Sequence, residues 1–250
     1  MRIDFEGQVV VVTGATRGIG KQLAEDFERL GAELILTGTD PRQIAARNRE
    51  AEESGNGRKT YHAVDFTDDG SLQKFLDVLE ARGRIDVCVN NAGINRIGLI
   101  DETALNDWED ILAVNLHAPV LITRAVSRGM KARGYGRIVN IASIFSVASK
   151  PKRSFYTVTK FGLHGLTVST ALDLAPYGVL VNTVSPGFVL TDLTKRILTE
   201  EEMDELAEAV PVGRFADPDE ISRAVLFLAS RHNTYMTAQN LVVDGGFVNV

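Results

Sequence analysis

The segment from Val9 to Lys21 constrains the fold of this chain more than any other stretch. An apolar run typical of a buried strand breaks into a glycine loop, and a helical pattern begins directly after it. Glycines permit a tight turn and close backbone approach, while the free N–H groups and positive dipole end of the helix face the loop. The segment therefore predicts a diphosphate site, although the spacing of Gly14, Gly18 and Gly20 differs from the common G-x-G-x-x-G fingerprint.

Length and charge limit the domain organisation and the partners. A chain of 250 residues is long enough for one large α/β domain or two small ones. We favour a single domain over 1–250, because strand and helix patterns alternate from end to end without a linker composition. The net charge of −6 argues against nucleic acid and anionic membranes as partners and favours a small molecule.

The amino terminus and the cysteine content favour a cytoplasmic location. The chain begins without an apolar signal-peptide core, and no apolar run approaches the ~20 residues that span a bilayer. The single cysteine, Cys88, lies in an apolar run, so a buried thiol is expected.

Short apolar runs alternate with helical patterns along the whole chain. Continuous apolar strands joined by helices predict a parallel sheet that is covered on both faces. We therefore expect an α/β fold, a single-domain Rossmann-type doubly wound parallel sheet of seven strands with helices on both faces. The strands are predicted at 9–13, 34–37, about 60–64, 87–90, 138–142, 179–184 and 241–243.

Local signals place several helix ends. One helix is expected to begin after Asn106, with that residue as its cap, and Pro119 is expected to kink it. A long helix is predicted at 156–174. Polar helix starts are predicted at Asp40, at Thr199 with Glu202, and at Asp217 with Glu220.

Candidate site residues cluster where predicted strands end. In doubly wound sheets the ligand lies beyond the carboxyl ends of the strands. The residues at those ends are Thr13, Gly14, Asp65, the run 90–93, Ser143, Pro186 and Gly187.

Tyr156 and Lys160 form the candidate catalytic pair. Their spacing of four residues puts both side chains on one helical face, near the strand-end Ser143. A tyrosine that exchanges protons at neutral pH needs a pKa about three units below its ordinary value of ~10. A lysine at about 4 Å could supply the required ~4 kcal/mol, although burial opposes the shift. Tyr-x-x-x-Lys alone is common on half-exposed helices, so the prediction depends on the whole combination.

The chain resembles the short-chain dehydrogenase/reductase family from about Phe5 to Val250. The motifs that carry the resemblance are TGATRGIG at 13–20, NNAG at 90–93, Asn115, Ser143, Tyr156 with Lys160, Pro186-Gly187 and VDGG at 243–246. The resemblance extends to 3-oxoacyl-(acyl-carrier-protein) reductases and to sugar-acid dehydrogenases.

The resemblance implies an oxidoreductase that transfers a hydride between a nicotinamide and a secondary alcohol or ketone. Tyr156 is implied as the general acid or base, Ser143 as the group that orients the carbonyl, and Lys160 as a ribose ligand that lowers the tyrosine pKa. Asn115 is implied to hold a water of the proton relay; alternatively, its side chain satisfies backbone groups around the kink near Pro119.

NADP(H) is the favoured cofactor, and NAD(H) is the alternative. The second strand ends in Gly38 where NAD-specific folds place an acid, and Asp40 is better explained as a helix cap. Asp65 is implied at the adenine, with a turn role as the alternative. The implied cofactor residues are Gly14, Thr16, Arg17, Gly18, Ile19, Gly20, Thr39, Asp65, Phe66, Asn91, Ala92, Gly93, Tyr156, Lys160, Pro186, Gly187, Val189 and Thr191.

The substrate is expected to contact Asn95, Ser143, Phe145, Arg153 and Tyr156. Arg153 and the nearby Lys150 and Lys152 suggest an anionic substrate, or else a solvated cationic loop. A 3-oxoacyl thioester is the first candidate, and a sugar, sugar acid or polyol is the alternative. A non-catalytic dinucleotide-binding scaffold is the alternative from another class.

Two further expectations concern assembly and the segment after the sixth strand. The apolar surface of the helices around Trp108–Met130 and Tyr156–Leu174 predicts a homotetramer, as in relatives. The segment at about 190–212 is expected to form a substrate lid, or alternatively a static surface helix. The four histidines lack metal-ligand spacing, so no catalytic metal is expected.

Overall fold

Seven parallel strands form one sheet in the computed structural model, which describes residues 2–55, 57–191, 194 and 198–250. The strand order is β3-β2-β1-β4-β5-β6-β7, so the predicted doubly wound sheet is confirmed. The strands are β1 (Val9–Val12), β2 (Glu33–Gly38), β3 (Lys59–Ala63), β4 (Val87–Asn90), β5 (Gly136–Ile141), β6 (Val179–Pro186) and β7 (Asn240–Val243).

Helices cover both faces of the sheet. Alternate residues of each strand point to opposite sides, and both sets are apolar, so each face needs a layer of helices to bury it. Val10 and Val12 pack in one core cluster with Phe27, whereas Val9 and Val11 pack in the other. The helices are α1 (Gly18–Arg29), α2 (Pro41–Glu53), α3 (Asp69–Arg82), α4 (Leu105–Leu112), α5 (Ala118–Arg133), α6 (Ser154–Leu174), α7 (Glu200–Glu208) and α8 (Pro218–Ala229).

The predicted start of α4 is wrong. The helix begins at Leu105 after Ala104, and Asn106 lies inside its first turn. A preceding turn fixes this entry, since the Thr103 hydroxyl and backbone N–H both donate to the carbonyl of Leu99.

The predicted kink at Pro119 takes the form of a π-helical turn just before the proline. This turn spans Ala113–His117 and joins α4 to α5. Pro119 has no N–H to donate to the carbonyl four residues earlier, so the regular hydrogen-bond ladder is interrupted here. Asn115 lies in the middle of this turn and is fully buried.

Three predicted helix starts are confirmed. The Asp40 carboxylate accepts hydrogen bonds from the backbone N–H groups of Arg42 and Gln43. Thr199 and Glu202 form the expected capping box of α7, and the Glu220 carboxylate accepts from the N–H of Asp217. Helix α7 belongs to the predicted lid, of which residues 192–193 and 195–197 lie outside the described residues.

Cys88 lies in the middle of the sheet and is fully buried, as expected. Burial raises the pKa of its thiol to about 12. Separately, no helix of the described chain has the length and apolar character needed to cross a bilayer.

Candidate active site

The predicted site residues gather at the carboxyl edge of the sheet. After β1 the chain builds β2 and β3 on one side and then returns to form β4 on the other. The loops after β1 and β4 therefore diverge and leave a crevice, which is where doubly wound sheets bind ligands.

The glycine loop after β1 forms a tight cradle, in which three glycines let the backbone approach closely. Gly14 has a φ of +65°, which favours glycine, and a Cβ on Gly20 would lie 2.1 Å from the carbonyl oxygen of Gly14. The loop then enters α1, whose first turn lacks an acidic side chain. The exposed N-terminus of α1 and the tight loop fit a diphosphate group.

The turn after β4 is tied to this glycine loop. The Thr13 hydroxyl accepts hydrogen bonds from the backbone N–H groups of Asn91 and Ala92, at 2.9 and 3.0 Å. The Asn91 side-chain nitrogen donates to the carbonyl oxygens of Thr13 and Gly14. This amide nitrogen therefore fixes the wall of the crevice.

Ser143 and Tyr156 meet at the ends of β5 and α6. The side chain of Ser143 lies close enough to the Tyr156 phenol to lower its pKa by hydrogen bonding. Burial raises the pKa of Tyr156 above its ordinary value, and the hydrogen bond to Ser143 and the charge of Arg153 offset only part of that rise. The phenol is therefore protonated at neutral pH.

Lys160 lies one turn further along α6 and is buried. Its ammonium donates to the carbonyl oxygen of Ile141 at 2.9 Å and lies 5.5 Å from the centre of the Tyr156 ring. Burial lowers the pKa of Lys160 to about 8. The groups that lower the pKa of Tyr156 are Ser143 and Arg153, so the expected acidifying effect of Lys160 is not found with the protein groups alone.

The Asn115 side chain bonds Ile94, in the loop after β4. Its oxygen accepts from the Ile94 N–H at 2.8 Å, and its nitrogen donates to the Ile94 carbonyl at 2.9 Å and to the Thr159 hydroxyl. The side chain of Asn115 therefore satisfies backbone groups of Ile94 rather than groups around the kink near Pro119.

The second strand ends in a space closed by Thr16. A Cβ on Gly38 would lie 2.3 Å from the Thr16 methyl group, so an acidic side chain has no room there without movement. Arg17 and Thr39 are exposed beside this position. The Asp40 carboxylate is engaged in capping α2, as its preferred interpretation predicts.

Arg47 is a cation near this end of the crevice that the sequence analysis missed. Its guanidinium lies over the Tyr61 ring and donates to the carbonyl oxygen of Thr16 at 3.2 Å. Its Nε is buried without a hydrogen-bond partner in the described chain. No spacing signal marks Arg47, because the contact depends on how α2 packs against the glycine loop.

Asp65 and Phe66 occupy the loop after β3. The Asp65 carboxylate accepts from the backbone N–H and hydroxyl of Thr67, which is the alternative turn role. The Phe66 ring is buried against Phe75, so its side chain belongs to the core and only its backbone remains for a cofactor.

The segment after β6 packs against residues 216 and 244 and approaches the glycine loop at Thr191. A Cβ on Gly187 would lie 2.7 Å from the Cα of Asp244, so the close approach requires glycine. Val189 is buried and pairs with Ala216. Thr191 lies near Gly18, with its methyl group 3.4 Å from where a Cβ on Gly18 would stand.

The side predicted to contact the substrate combines aromatic and cationic groups. The Phe145 ring lies edge-on to Tyr156 at 6.0 Å, and the Arg153 guanidinium lies 5.8 Å from the centre of the Phe145 ring. Asn95 is exposed on the loop after β4. Its side chain makes no hydrogen bond within the described chain. Among the described residues, no group of three His, Cys, Asp or Glu side chains could hold a metal ion.

Comparison with known proteins decides the family. The sequence model of the family described as enoyl-(acyl carrier protein) reductase matches residues 14–248. The chain belongs to the short-chain dehydrogenase/reductase family. The resemblance stated from the motifs is thereby confirmed.

Curated relatives of this short-chain dehydrogenase/reductase protein have two activities in their names. The chain is 41% identical over 251 residues to the 3-oxoacyl-(acyl-carrier-protein) reductase FabG of Aquifex aeolicus, covering 98% of this chain and 99% of the relative. It is 37% identical over 247 residues to gluconate 5-dehydrogenase of Gluconobacter oxydans, covering 97% and 95%.

A solved structure from the same family is also similar. Gluconate 5-dehydrogenase from Burkholderia cenocepacia, in complex with NADP and tartrate, superimposes with a TM-score of 0.90 at 32% identity. The alignment covers 99% of this chain and 97% of that chain.

Proposed function

We propose that this protein is an NADP(H)-dependent oxidoreductase that interconverts a secondary alcohol and a ketone. The observation that carries the proposal is the placement of Ser143 beside the Tyr156 phenol, with the buried Lys160 one helical turn away and its ammonium 5.5 Å from the centre of the Tyr156 ring. This set lies at the same sheet edge as the glycine cradle. A proton donor beside a dinucleotide site is what carbonyl reduction requires.

Tyr156 is the proton donor in the proposed reduction. Its raised pKa keeps the phenol protonated at neutral pH, so a proton is available for the substrate oxygen. Ser143 holds that oxygen by a hydrogen bond, and Lys160 supplies positive charge as the phenolate forms. The nicotinamide supplies or accepts the hydride when it is bound. Asn115 keeps the crevice loop in place through Ile94.

The cradle fits NADP(H) better than NAD(H). An acidic side chain at position 38, which would bind a ribose 2′-hydroxyl, would clash with Thr16 unless Thr16 moved, while the exposed Arg17 and Thr39 lie beside this position and could bind a 2′-phosphate. A family member of known structure is described as bound to NADP, which supports the same choice. The diphosphate would lie on Gly14, Gly18 and Gly20, and the nicotinamide ribose on Tyr156 and Lys160.

Relatives support two substrate classes. A 3-oxoacyl thioester is supported by the name of the Aquifex relative, and a sugar acid by the two gluconate 5-dehydrogenases. A non-catalytic scaffold remains the contrasting hypothesis, and it predicts no turnover with any carbonyl compound.

We also propose a homotetramer in the cytoplasm, in which a lid at about 190–212 closes over the substrate. Large apolar side chains are exposed on α4 and α6, including Leu105, Val158 and Leu172. Such exposure is costly in a monomer and favours burial between subunits. Light scattering tests the assembly, and a mass near 27.2 kDa would contradict it.

The test of the function compares wild type with Tyr156→Phe. Absorbance of the reduced nicotinamide is followed with 3-oxoacyl thioesters, sugar acids and polyols, each with NADPH, NADH, NADP⁺ and NAD⁺. Removal of the proton donor is expected to lower kcat by roughly 10²- to 10⁴-fold. NADPH affinity, measured by fluorescence, should change little. A variant that keeps most of its turnover would reject the mechanism.

A further inference from the structure

The guanidinium of Arg153 is the unusual charge in the wall of the active site. Arg153 stands immediately before α6, three residues ahead of Tyr156. Its Nε and Nη1 atoms are buried and make no hydrogen bond within the described chain. No carboxylate of the described residues lies within ion-pair distance of it.

Other partly buried arginines differ in this respect. Arg47 and Arg137 each have one buried nitrogen without a partner, but their other guanidinium nitrogens donate to backbone carbonyls. Through these contacts each of the two arginines stabilises the neighbouring backbone. The side chain of Arg153 instead touches the face of Phe145, and no hydrogen bond of its guanidinium is found in the described chain.

An uncompensated guanidinium is costly to bury. Burial lowers the pKa of Arg153, which reflects this cost. The free-energy cost of removing water from a charge is offset when an anion binds to it. The planar guanidinium of arginine can bind a carboxylate with two parallel hydrogen bonds. The arrangement is thus suited to bind an anion supplied from outside the chain.

The position of Arg153 relates that anion to the reacting carbonyl. The Phe145 ring touches both Arg153 and Tyr156, and the positive charge of Arg153 acts on the Tyr156 phenol. A small molecule whose oxygen is held by Ser143 and Tyr156 would therefore have its neighbouring groups within reach of Arg153. A carrier-bound thioester is uncharged next to its ketone and leaves the guanidinium without a partner.

We propose that Arg153 binds a carboxylate of the substrate, so that the ketone or alcohol is part of a free oxo or hydroxy acid. This inference rests on the proposed function and narrows its substrate class. The carboxylate is not changed in the reaction. It orients the carbonyl toward Tyr156 and compensates the charge of the half-buried guanidinium.

Binding is tested with two probes of equal carbon number. Gluconate carries a carboxylate where sorbitol carries a hydroxymethyl group, and calorimetry measures both on the full-length protein with NADP⁺. We expect roughly ten-fold tighter binding of gluconate, the size of a charge-assisted hydrogen bond pair. Arg153→Gln should abolish this preference, and Arg153→Lys should restore only part of it. Lys74→Gln, which removes one exposed charge on α3, is the matched control and should keep the preference.

Turnover provides a second test with matched ketones. The free acids 3-oxobutanoate, 4-oxopentanoate and 5-oxohexanoate are compared with their methyl esters and with the N-acetylcysteamine thioester of the first. The wild type should have a lower KM for at least one acid than for its ester. Arg153→Gln should raise the KM for that acid and leave the KM for the ester nearly unchanged. A purely structural role of Arg153 would change acid and ester alike.

The two possible failures are distinguishable. If neither gluconate nor any acid is preferred to its neutral counterpart, or if the thioester is preferred, the carboxylate proposal is overturned. The same holds if the preference survives in Arg153→Gln. Failure of the proposed function would instead appear as absence of NADPH oxidation with every ketone, while the binding ratio still reports on Arg153.

Discussion

The ammonium of Lys160 donates a hydrogen bond to the carbonyl oxygen of Ile141, the last residue of β5, at 2.9 Å. The contact fixes α6 to the end of the central sheet and holds a positive charge in a buried place beside Tyr156. The residue proposed to support the proton transfer is thus held at a cost to folding, which is typical of functional sites.

That cost should be visible in the pH dependence of stability. The pKa of Lys160 is lowered from 10.5 to about 8, so between these values the unfolded chain binds more protons than the folded one. Stability contributed by this group therefore rises with pH across that window, by up to about 3 kcal/mol. Urea unfolding of wild type and Lys160→Met from below pH 8 to pH 10 measures the difference. Parallel curves for the two proteins would contradict the prediction.

The Tyr156 phenol should respond to Ser143. The hydrogen bond from Ser143 lowers the pKa of Tyr156, although burial keeps that pKa above its ordinary value. Ser143→Ala should therefore move tyrosinate formation to still higher pH. Near-ultraviolet absorbance, corrected with Tyr156→Phe, follows the titration. Ser149→Ala, in the same loop, is the control and should leave the titration unchanged.

Asn115 should matter for stability as well as turnover. Asn115→Ala leaves the backbone N–H and carbonyl of Ile94 without these partners, at a cost of about 2 kcal/mol. Urea unfolding measures it, and Asn95→Ala, on an exposed neighbour of Ile94, should cost less than about 0.5 kcal/mol. Equal stability of the two variants would show that the contact contributes nothing.

Gly20 tests the cradle. A Cβ there would meet the Gly14 carbonyl oxygen at 2.1 Å, and because this neighbour is backbone the loop itself has to move. Gly20→Ala should therefore weaken NADPH binding by roughly 100-fold or more, a loss of about 3 kcal/mol. Gly57→Ala introduces a Cβ that meets nothing within 4 Å and should bind NADPH as the wild type does. Unchanged NADPH affinity in Gly20→Ala would exclude the loop as the diphosphate site.

The predictable parts of the structure are those written in short stretches of sequence. The apolar runs gave the strands because buried parallel strands need such runs on both faces, as Val9 to Val12 illustrate. Asp217 with Glu220 marked a helix start for a local electrostatic reason. The four-residue spacing of Tyr156 and Lys160 likewise predicts one helical face, and in the structure the Lys160 ammonium lies 5.5 Å from the centre of the Tyr156 ring.

The missed parts depend on contacts between distant segments. Asn115 was singled out, but its partner Ile94 lies 21 residues earlier and no local pattern connects them. Arg47 contacts Thr16 only because α2 packs beside the glycine loop. Several polar residues near the start of α4 are possible helix caps. The helix instead begins at Leu105 because of the turn between Leu99 and Thr103, and the side chain of Asn106 does not set its start.

The buried position of Cys88 has a practical consequence for labelling. With its thiol pKa raised to about 12 and its side chain enclosed by the sheet, the native protein presents no nucleophilic sulfur to maleimides. A cysteine introduced on the surface would therefore be the sole point of dye attachment in the native fold. Modification of Cys88 itself would report opening of the central strands.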